Sequence, residues 1–395
     1  MKRMTVLLLT LILLILPACQ ARVQEESASL DCDRAFTHLL RQFCATEDAF
    51  YFGDGNRLYY VDRTTGICAP LCGKPECGHK DESCNAYYPK PLTGIANYDG
   101  RLYMMRSHDT VYSVAYDGTD RREVMTLSRD LIPDNWSYVQ YLMHRGHIYF
   151  SCTTGDVENG EPVYRFRICA FPLDAEGDGF VIYEGDAGDS FSTPAIQPYG
   201  DGLYILLSHY DASGGAQHGF SVKRWDTQTR ELENLYEAVG VPFNYVVDMW
   251  VMDDGIVFQG FIDEERETKV YKFDFERGEP ELLFTAAPAS TRIYAKVGIS
   301  DHVVAGTGRS DESGAVPILI KDFEGNILAE ESYTPDLPDG VSSIGMDFFG
   351  ADELQAYFYV SSGISDDSGK TVGVYTAIVA VPLDGSGAYV LSEEY

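Results

Sequence analysis

The sequence predicts an all-β chain, a seven-bladed β-propeller built from four-stranded antiparallel blades. Three observations lead there. Seven short apolar segments end in aspartate at nearly even spacing. The intervals divide into strand-length apolar runs separated by turns rich in Asp and Gly. No long helical periodicity interrupts them; Phe36 to Cys44, FTHLLRQFC, is the single ambiguous stretch.

The seven segments are RLYYVD to Asp62, VYSVAYD to Asp117, RICAFPLD to Asp174, SVKRWD to Asp226, VYKFD to Asp274, ILIKD to Asp322 and AIVAVPLD to Asp384. Successive aspartates lie 48 to 62 residues apart, a period that marks a repeat architecture. In the fifth unit, YVVDMWVMDD leads to GIVFQGFID, then KVYKFDFERG, then PELLFTA. Its third run alternates: Tyr271, Phe273 and Phe275 share one side, Lys272, Asp274 and Glu276 the other. That is the period of a half-buried strand. Other units repeat the plan in DGLYILL from Asp201 and RGHIYFS from Arg145. Units of four strands cannot stand alone, and radial stacking leaves each with only short, protected edges. The RWD at Arg224 to Asp226 occurs once without a Gly-His partner, so a WD40 pattern is missing, as are Kelch glycine pairs. The last unit carries its own fourth strand in Ala388 to Glu394, and Asp31 to Cys44 is the N-terminal candidate for a further closing strand there.

The chain opens with a targeting pattern. Lys2 and Arg3 precede an apolar run from Thr5 to Leu16 that is short for a membrane span. LPAC, Leu16 to Cys19, resembles the lipobox of bacterial lipoproteins, although Pro17 is an unusual occupant. The resemblance implies cleavage before Cys19 and lipidation of its sulfur; cleavage near Ala18 by an ordinary signal route is the alternative. The expected organisation is a lipoprotein signal peptide over 1–18, a lipidated cysteine and polar tether over 19–30, and one propeller domain over 31–395. Two acyl chains anchor a protein stably where one does so marginally. The expected location is a bacterial cell membrane, facing the extracytoplasmic side. A formal net charge of −31 argues against nucleic acid as a partner.

CAPLCGKPECGHKDESCNAYY, from Cys68 to Tyr88, gathers four of the nine cysteines. Without Cys19 the remaining eight are even in number, which in an exported chain favours disulfides. Cys152 and Cys169 fall on consecutive strands and are candidates for a cross-strand bridge; Cys32 and Cys44 are candidates for stapling the N-terminal arm. Cys72, Cys77, His79 and Cys84 invite a different reading, since three thiolates and an imidazole complete a tetrahedral zinc shell. A reactive thiol site is the third. The spacing is not the C-x2-C of common zinc sites, and metal and disulfides remain open alternatives.

LCGKPECGHKDESCNAY resembles an L-C-x-x-P-x-C-x-H-x-x-x-x-C stretch that follows the first repeat in divergent propeller lipoproteins of gut Firmicutes. The resemblance covers nearly the whole chain after the leader and implies a fold and an address without a settled activity. It places Cys72, Cys77, His79 and Cys84 inside the family stretch and Cys68 outside it.

Other motifs are incomplete. SDDSGKTV from Ser365 nearly forms an aspartic box of sialidases, with Val372 in place of Trp. FRIC from Phe166 resembles the sialidase arginine strand, with Cys169 in place of Pro. DAEGDGFVIYE from Asp174 has calcium-loop character but carries Gly185 at position twelve and reads better as a hairpin turn. HRGH from His144 reads as a solvated turn. No G-x-S-x-G elbow or phosphate loop appears. The expected role is a binding or scaffold module for a glycan, peptide or envelope partner. The alternative is a propeller glycoside hydrolase or lyase, for which Asp248 and Asp347 on predicted first strands are the axial carboxylates to inspect.

Overall fold

A computed structural model describes residues 43–394 apart from 55, 90, 91, 107, 108, 133–135, 159, 160, 187–194, 211–217, 263–266, 288–295, 301, 309, 311–313, 338–343 and 367–369. These residues form a seven-bladed β-propeller, and no helix occurs among them. Blade 1 comprises β1 Phe43–Ala45, β2 Ala49–Asp54, β3 Arg57–Asp62 and β4 Cys68–Pro70. Blade 2 comprises β5 Leu92–Tyr98, β6 Arg101–Arg106, β7 Thr110–Ala115 and β8 Arg122–Thr126. Blade 3 comprises β9 Trp136–His144, β10 His147–Glu158, β11 Glu161–Pro172 and β12 Phe180–Asp186. Blade 4 comprises β13 Ala195–Tyr199, β14 Gly202–Tyr210, β15 His218–Asp226 and β16 Leu232–Val239. Blade 5 comprises β17 Tyr245–Met252, β18 Gly255–Ile262, β19 Glu267–Asp274 and β20 Glu279–Ala287. Blade 6 comprises β21 Lys296–Ser300, β22 Val303–Thr307, β23 Val316–Asp322 and β24 Ile327–Tyr333. Blade 7 comprises β25 Gly345–Ala351, β26 Gln355–Ser365, β27 Thr371–Pro382 and β28 Tyr389–Glu394. Every blade is a plain antiparallel meander in chain order.

The seven repeated aspartates all fall at the turn between third and fourth strands, and six of them have a clear job. Asp62 accepts from the amides of Thr64 and Thr65 at 3.0 and 2.7 Å, and Asp226 from those of Gln228 and Thr229 at 3.0 and 2.9 Å. Asp274 caps Glu276 and Arg277 in the same way, and Asp117, Asp322 and Asp384 each take one such amide. A short carboxylate satisfies amides that the turn exposes, which is why this position repeats while its neighbours drift. In blade 3 a glycine carries the turn. Gly177 has φ +95°, and a Cβ there would stand 1.9 Å from the Thr126 carbonyl.

The core is divided among the blade interfaces. Each of seven apolar clusters joins one pair of neighbours, so the ring is closed. The seam between blades 1 and 7 is aromatic. Phe43 lies 4.8 Å from Phe349 and 4.7 Å from Tyr359, and Phe50 lies 4.7 Å from Tyr357, between ring centroids. Phe43 and Cys44 of the candidate closing segment belong to blade 1, and the rest of it, Asp31 to Gln42, lies outside the described residues. Blade 7 takes all four strands from the C-terminal segment, and Phe43–Ala45 is the first strand of blade 1. Among the described residues, it is side-chain packing that joins these two blades.

Candidate metal centre

The loop between β4 and β5 brings Cys72, Cys77, His79 and Cys84 together. One ligand atom from each lies within 4.8 Å of all the others, and no other group of three or more His, Cys, Asp or Glu converges this way among the described residues. A tetrahedral shell with metal–sulfur bonds of about 2.3 Å places neighbouring ligand atoms about 3.5–4 Å apart, so the cluster has the dimensions to hold a metal ion. His79 presents Nδ1, which stands 3.2 Å from Cys84 Sγ. Its backbone adopts φ +52°, a left-handed conformation that turns the imidazole back toward the thiols. Cys84 is buried while the other three ligands are half-buried. Cys68 sits on β4 outside the group.

Electrostatics separate the thiols. Burial pushes Cys84 up to about 11, with Cys77 and Cys72 adding to the rise and the Ala86 amide, which donates to its sulfur at 3.3 Å, opposing it. Burial also works against the Cys72 thiolate, yet the amides of Lys74 and Asn85 and the neighbouring thiols hold this thiol below its ordinary value. A cation held by the group would favour the thiolate form of both.

The loop is held from both sides. The Cys77 amide donates to Lys74 O and the Cys84 amide to Asp81 O, closing two tight turns that carry the ligands. Lys74 Nζ reaches the Ser83 carbonyl across the loop. On blade 1, the Leu58 amide donates to Ala86 O and the Tyr88 amide to Asn56 O. On blade 2, Arg121 donates to the carbonyls of Cys84 at 2.8 Å, Tyr87 at 2.6 Å and Glu82 at 2.9 Å, and its guanidinium lies 5.4 Å from the Tyr88 ring centroid. Gly118 accepts from Asn85 Nδ2 at 2.6 Å and from the Gly73 amide. These bonds pin the long connection to both blades. Arg121 is the residue that sequence reading missed, because it lies 37 positions from Cys84 with no local pattern.

The remaining candidates lie elsewhere. Cys152 and Cys169 are buried thiols in one apolar cluster, but they are offset in register: Cys152 pairs with Arg167 and Cys169 with Phe150. Diagonal neighbours lie about 7–8 Å apart, beyond usual disulfide reach. Burial pushes them up to about 11 and about 12 respectively. Cys44 is buried on β1, while Cys32 and Cys19 lie outside the described residues. Asp248 is 2% exposed, and its carboxylate accepts from the amides of Met249 at 3.0 Å and of Ile299 in the next blade at 2.9 Å. It stitches blade 5 to blade 6. Asp347 is half-buried on β25, in register with Tyr359.

The minor motifs also find places. Arg167 of FRIC pairs with Glu184 at 2.8 Å and donates to the Leu131 carbonyl. The Asp174 segment is a hairpin turn; of the aspartic-box stretch, Ser365 ends β26 and Thr371 begins β27, while 367–369 lie outside the described residues. HRGH is a β9–β10 turn, but His144 is buried, contrary to the solvated turn expected.

No protein-family model and no curated protein matches the chain. Among solved structures, an oligogalacturonate lyase in complex with manganese superposes with a TM-score of 0.52 at 14% identity, over 83% of this chain and 86% of that one. An oligogalacturonate lyase from Vibrio parahaemolyticus gives 0.51 at 12%, over 86% and 92%. An acylaminoacyl peptidase in complex with a chloromethyl ketone gives 0.50 at 11%, over 91% of this chain and 54% of its own. What these proteins share with this chain is the propeller fold.

Proposed function

We propose that this chain is a binding or scaffold propeller, held at the outer side of a bacterial membrane through lipidated Cys19, with a structural zinc ion in the Cys72, Cys77, His79 and Cys84 group. The observation that carries the binding reading is the pair of long hairpins in blades 3 and 7. β10, β11, β26 and β27 run to 11 or 12 residues, against 6 for the corresponding strands of blades 1 and 2. These hairpins carry exposed apolar side chains: Val157 is 74% exposed, Val372 62% and Val374 46%. Exposed apolar groups on projecting strands suit a partner surface. Among the partners expected from sequence, such valines favour a polypeptide of the envelope over a glycan. Retention of an envelope polypeptide by the mature protein, lost on Val372→Ser with Val374→Ser, would support this. Retention unchanged by those substitutions would oppose it.

The propeller lyase or hydrolase alternative rests on the fold it shares with the oligogalacturonate lyases. It would need carboxylates able to act on substrate, and Asp248 has both oxygens engaged by backbone amides. Manganese favours carboxylate and imidazole over thiolate, so the Cys3His group is a poor counterpart. Turnover of a glycoside or polyuronide library would revive the alternative.

Zinc is favoured by the donor set, since borderline-soft ligands in a four-coordinate closed shell suit it. One equivalent of zinc in the purified mature protein is expected, with the three thiols resistant to alkylation until chelation. Complete disulfide formation without metal would remove the zinc reading and leave the partner reading intact.

A further inference from the structure

Several inner strands are stitched to the next blade by polar side chains. Gln197 Oε1 accepts from the Val251 amide at 2.5 Å, and Ser208 Oγ from the Val246 amide at 2.9 Å. Thr307 Oγ1 in blade 6 donates to the Met346 carbonyl of blade 7 at 2.9 Å. Thr307 lies four residues past Val303, where the second strand begins its pairing with the first. Two other blades carry a polar residue in that same place: Ser151, four past His147 in blade 3, and Gln259, four past Gly255 in blade 5.

Strand alternation fixes where these two side chains face. Tyr149 packs between blades 3 and 4, so Ser151 shares that side; Val257 packs between blades 5 and 6, so Gln259 shares that one. Both are buried, Gln259 with 0% exposure. Yet among the described residues Ser151 Oγ and both amide atoms of Gln259 meet no hydrogen-bond partner. The blades differ from blade 6 in one respect. The first-to-second strand pairing slips at Ser151/Thr153 in blade 3 and at Val246/Met249 in blade 5, whereas β21 and β22 pair without a slip. A bulge bends its strand and shifts the side chains beside it.

We propose that ordered water occupies these two positions and completes the stitch that Thr307 makes directly. The residue in the place of Met346 is the one in register with the fourth position of the following blade. That is Lys296 for Gln259 and Ala195 for Ser151. The water bridges Gln259 to the Lys296 backbone and Ser151 to the Ala195 backbone. A buried amide with both atoms unmet is costly, and water is the usual remedy where a polar site is enclosed. This inference is independent of the partner and metal readings.

Crystal density for the native protein tests it directly: a water within hydrogen-bond distance of Gln259 Oε1 or Nε2 is expected, and a second near Ser151 Oγ. Gln259→Met, close in shape, tests it energetically. If water is bound, losing the amide lowers the folding equilibrium constant about tenfold. If the amide is dry, the same change removes an unmet polar group and raises stability. Density showing no water at Gln259, or a more stable Gln259→Met protein, overturns the proposal. Should the variant fail to fold, the native density decides alone.

Discussion

His144 shows how much one buried side chain can control. It sits at the end of β9, where burial holds its imidazole down at about 4, with Arg145 adding to the depression and the Gly200 backbone opposing it. Asp201 also opposes the depression and His147 reinforces it. The folded protein therefore keeps His144 neutral at pH values where an unfolded chain, with a value near 6.5, binds a proton. The unfolded state then holds more protons between about pH 6.5 and 4, so stability falls as pH drops through that window. One unit is worth about 1.4 kcal/mol, and the total loss is about 3 kcal/mol. Denaturant titrations in steps from pH 7.5 to 4 should show the decline, and His144→Gln should flatten it. An unchanged slope in the variant would assign the decline to other groups. The turn aspartates act in a separate, more acid range. Thr65 holds Asp62 low, as Thr229 holds Asp226 and Arg277 holds Asp274, so their contribution is present above about pH 3.8 and is lost below it.

At the scale of elements, the Cys72–Tyr88 connection is a loop with too little apolar content to order itself, and it depends on ligands at one end and Arg121 at the other. Arg121→Met keeps much of the side chain's length but removes three carbonyl contacts. The expected cost is about 2 kcal/mol, with faster amide exchange from Cys77 to Tyr88 and faster release of the proposed metal to a chelator. Unchanged release would mean that the ligands alone hold the loop. The same element shows where sequence is legible. Cys72, Cys77, His79 and Cys84 are close in the chain, so spacing revealed their convergence, and the turn aspartates repeat because each strand-3 hairpin sets the same local requirement. Arg121, the blade-bridging role of Asp248 and the buried His144 depend on contacts with other blades or strands, which no local pattern records.

For the whole molecule, the consequential feature is that six blade interfaces are crossed by continuous chain and the seventh is not. Between blades 1 and 7, Arg63 Nη2 donates to Asp352 Oδ2 and to the Tyr357 hydroxyl, both at 2.5 Å, while Nη1 donates within blade 1 to the Thr46 carbonyl at 3.2 Å. The guanidinium also lies 4.9 and 5.1 Å from the ring centroids of Phe50 and Tyr357. Gln355 extends the network, donating to Tyr357 and accepting from Tyr389. The pair is partly exposed, so its worth lies below that of a fully buried one, about 2 kcal/mol with the ring contacts included. Opening any other interface leaves the two blades tethered, whereas opening this one releases both ends of the ring. Arg63→Ala should therefore speed amide exchange first in β1–β4 and β25–β28 while blades 3 to 5 keep native protection. Phe349→Ala, which empties the aromatic layer, should do the same more strongly, at a cost of about 3–5 kcal/mol. Uniform acceleration across all seven blades in both variants would show that the ring opens only by global unfolding and that the seam is no weaker than its six counterparts.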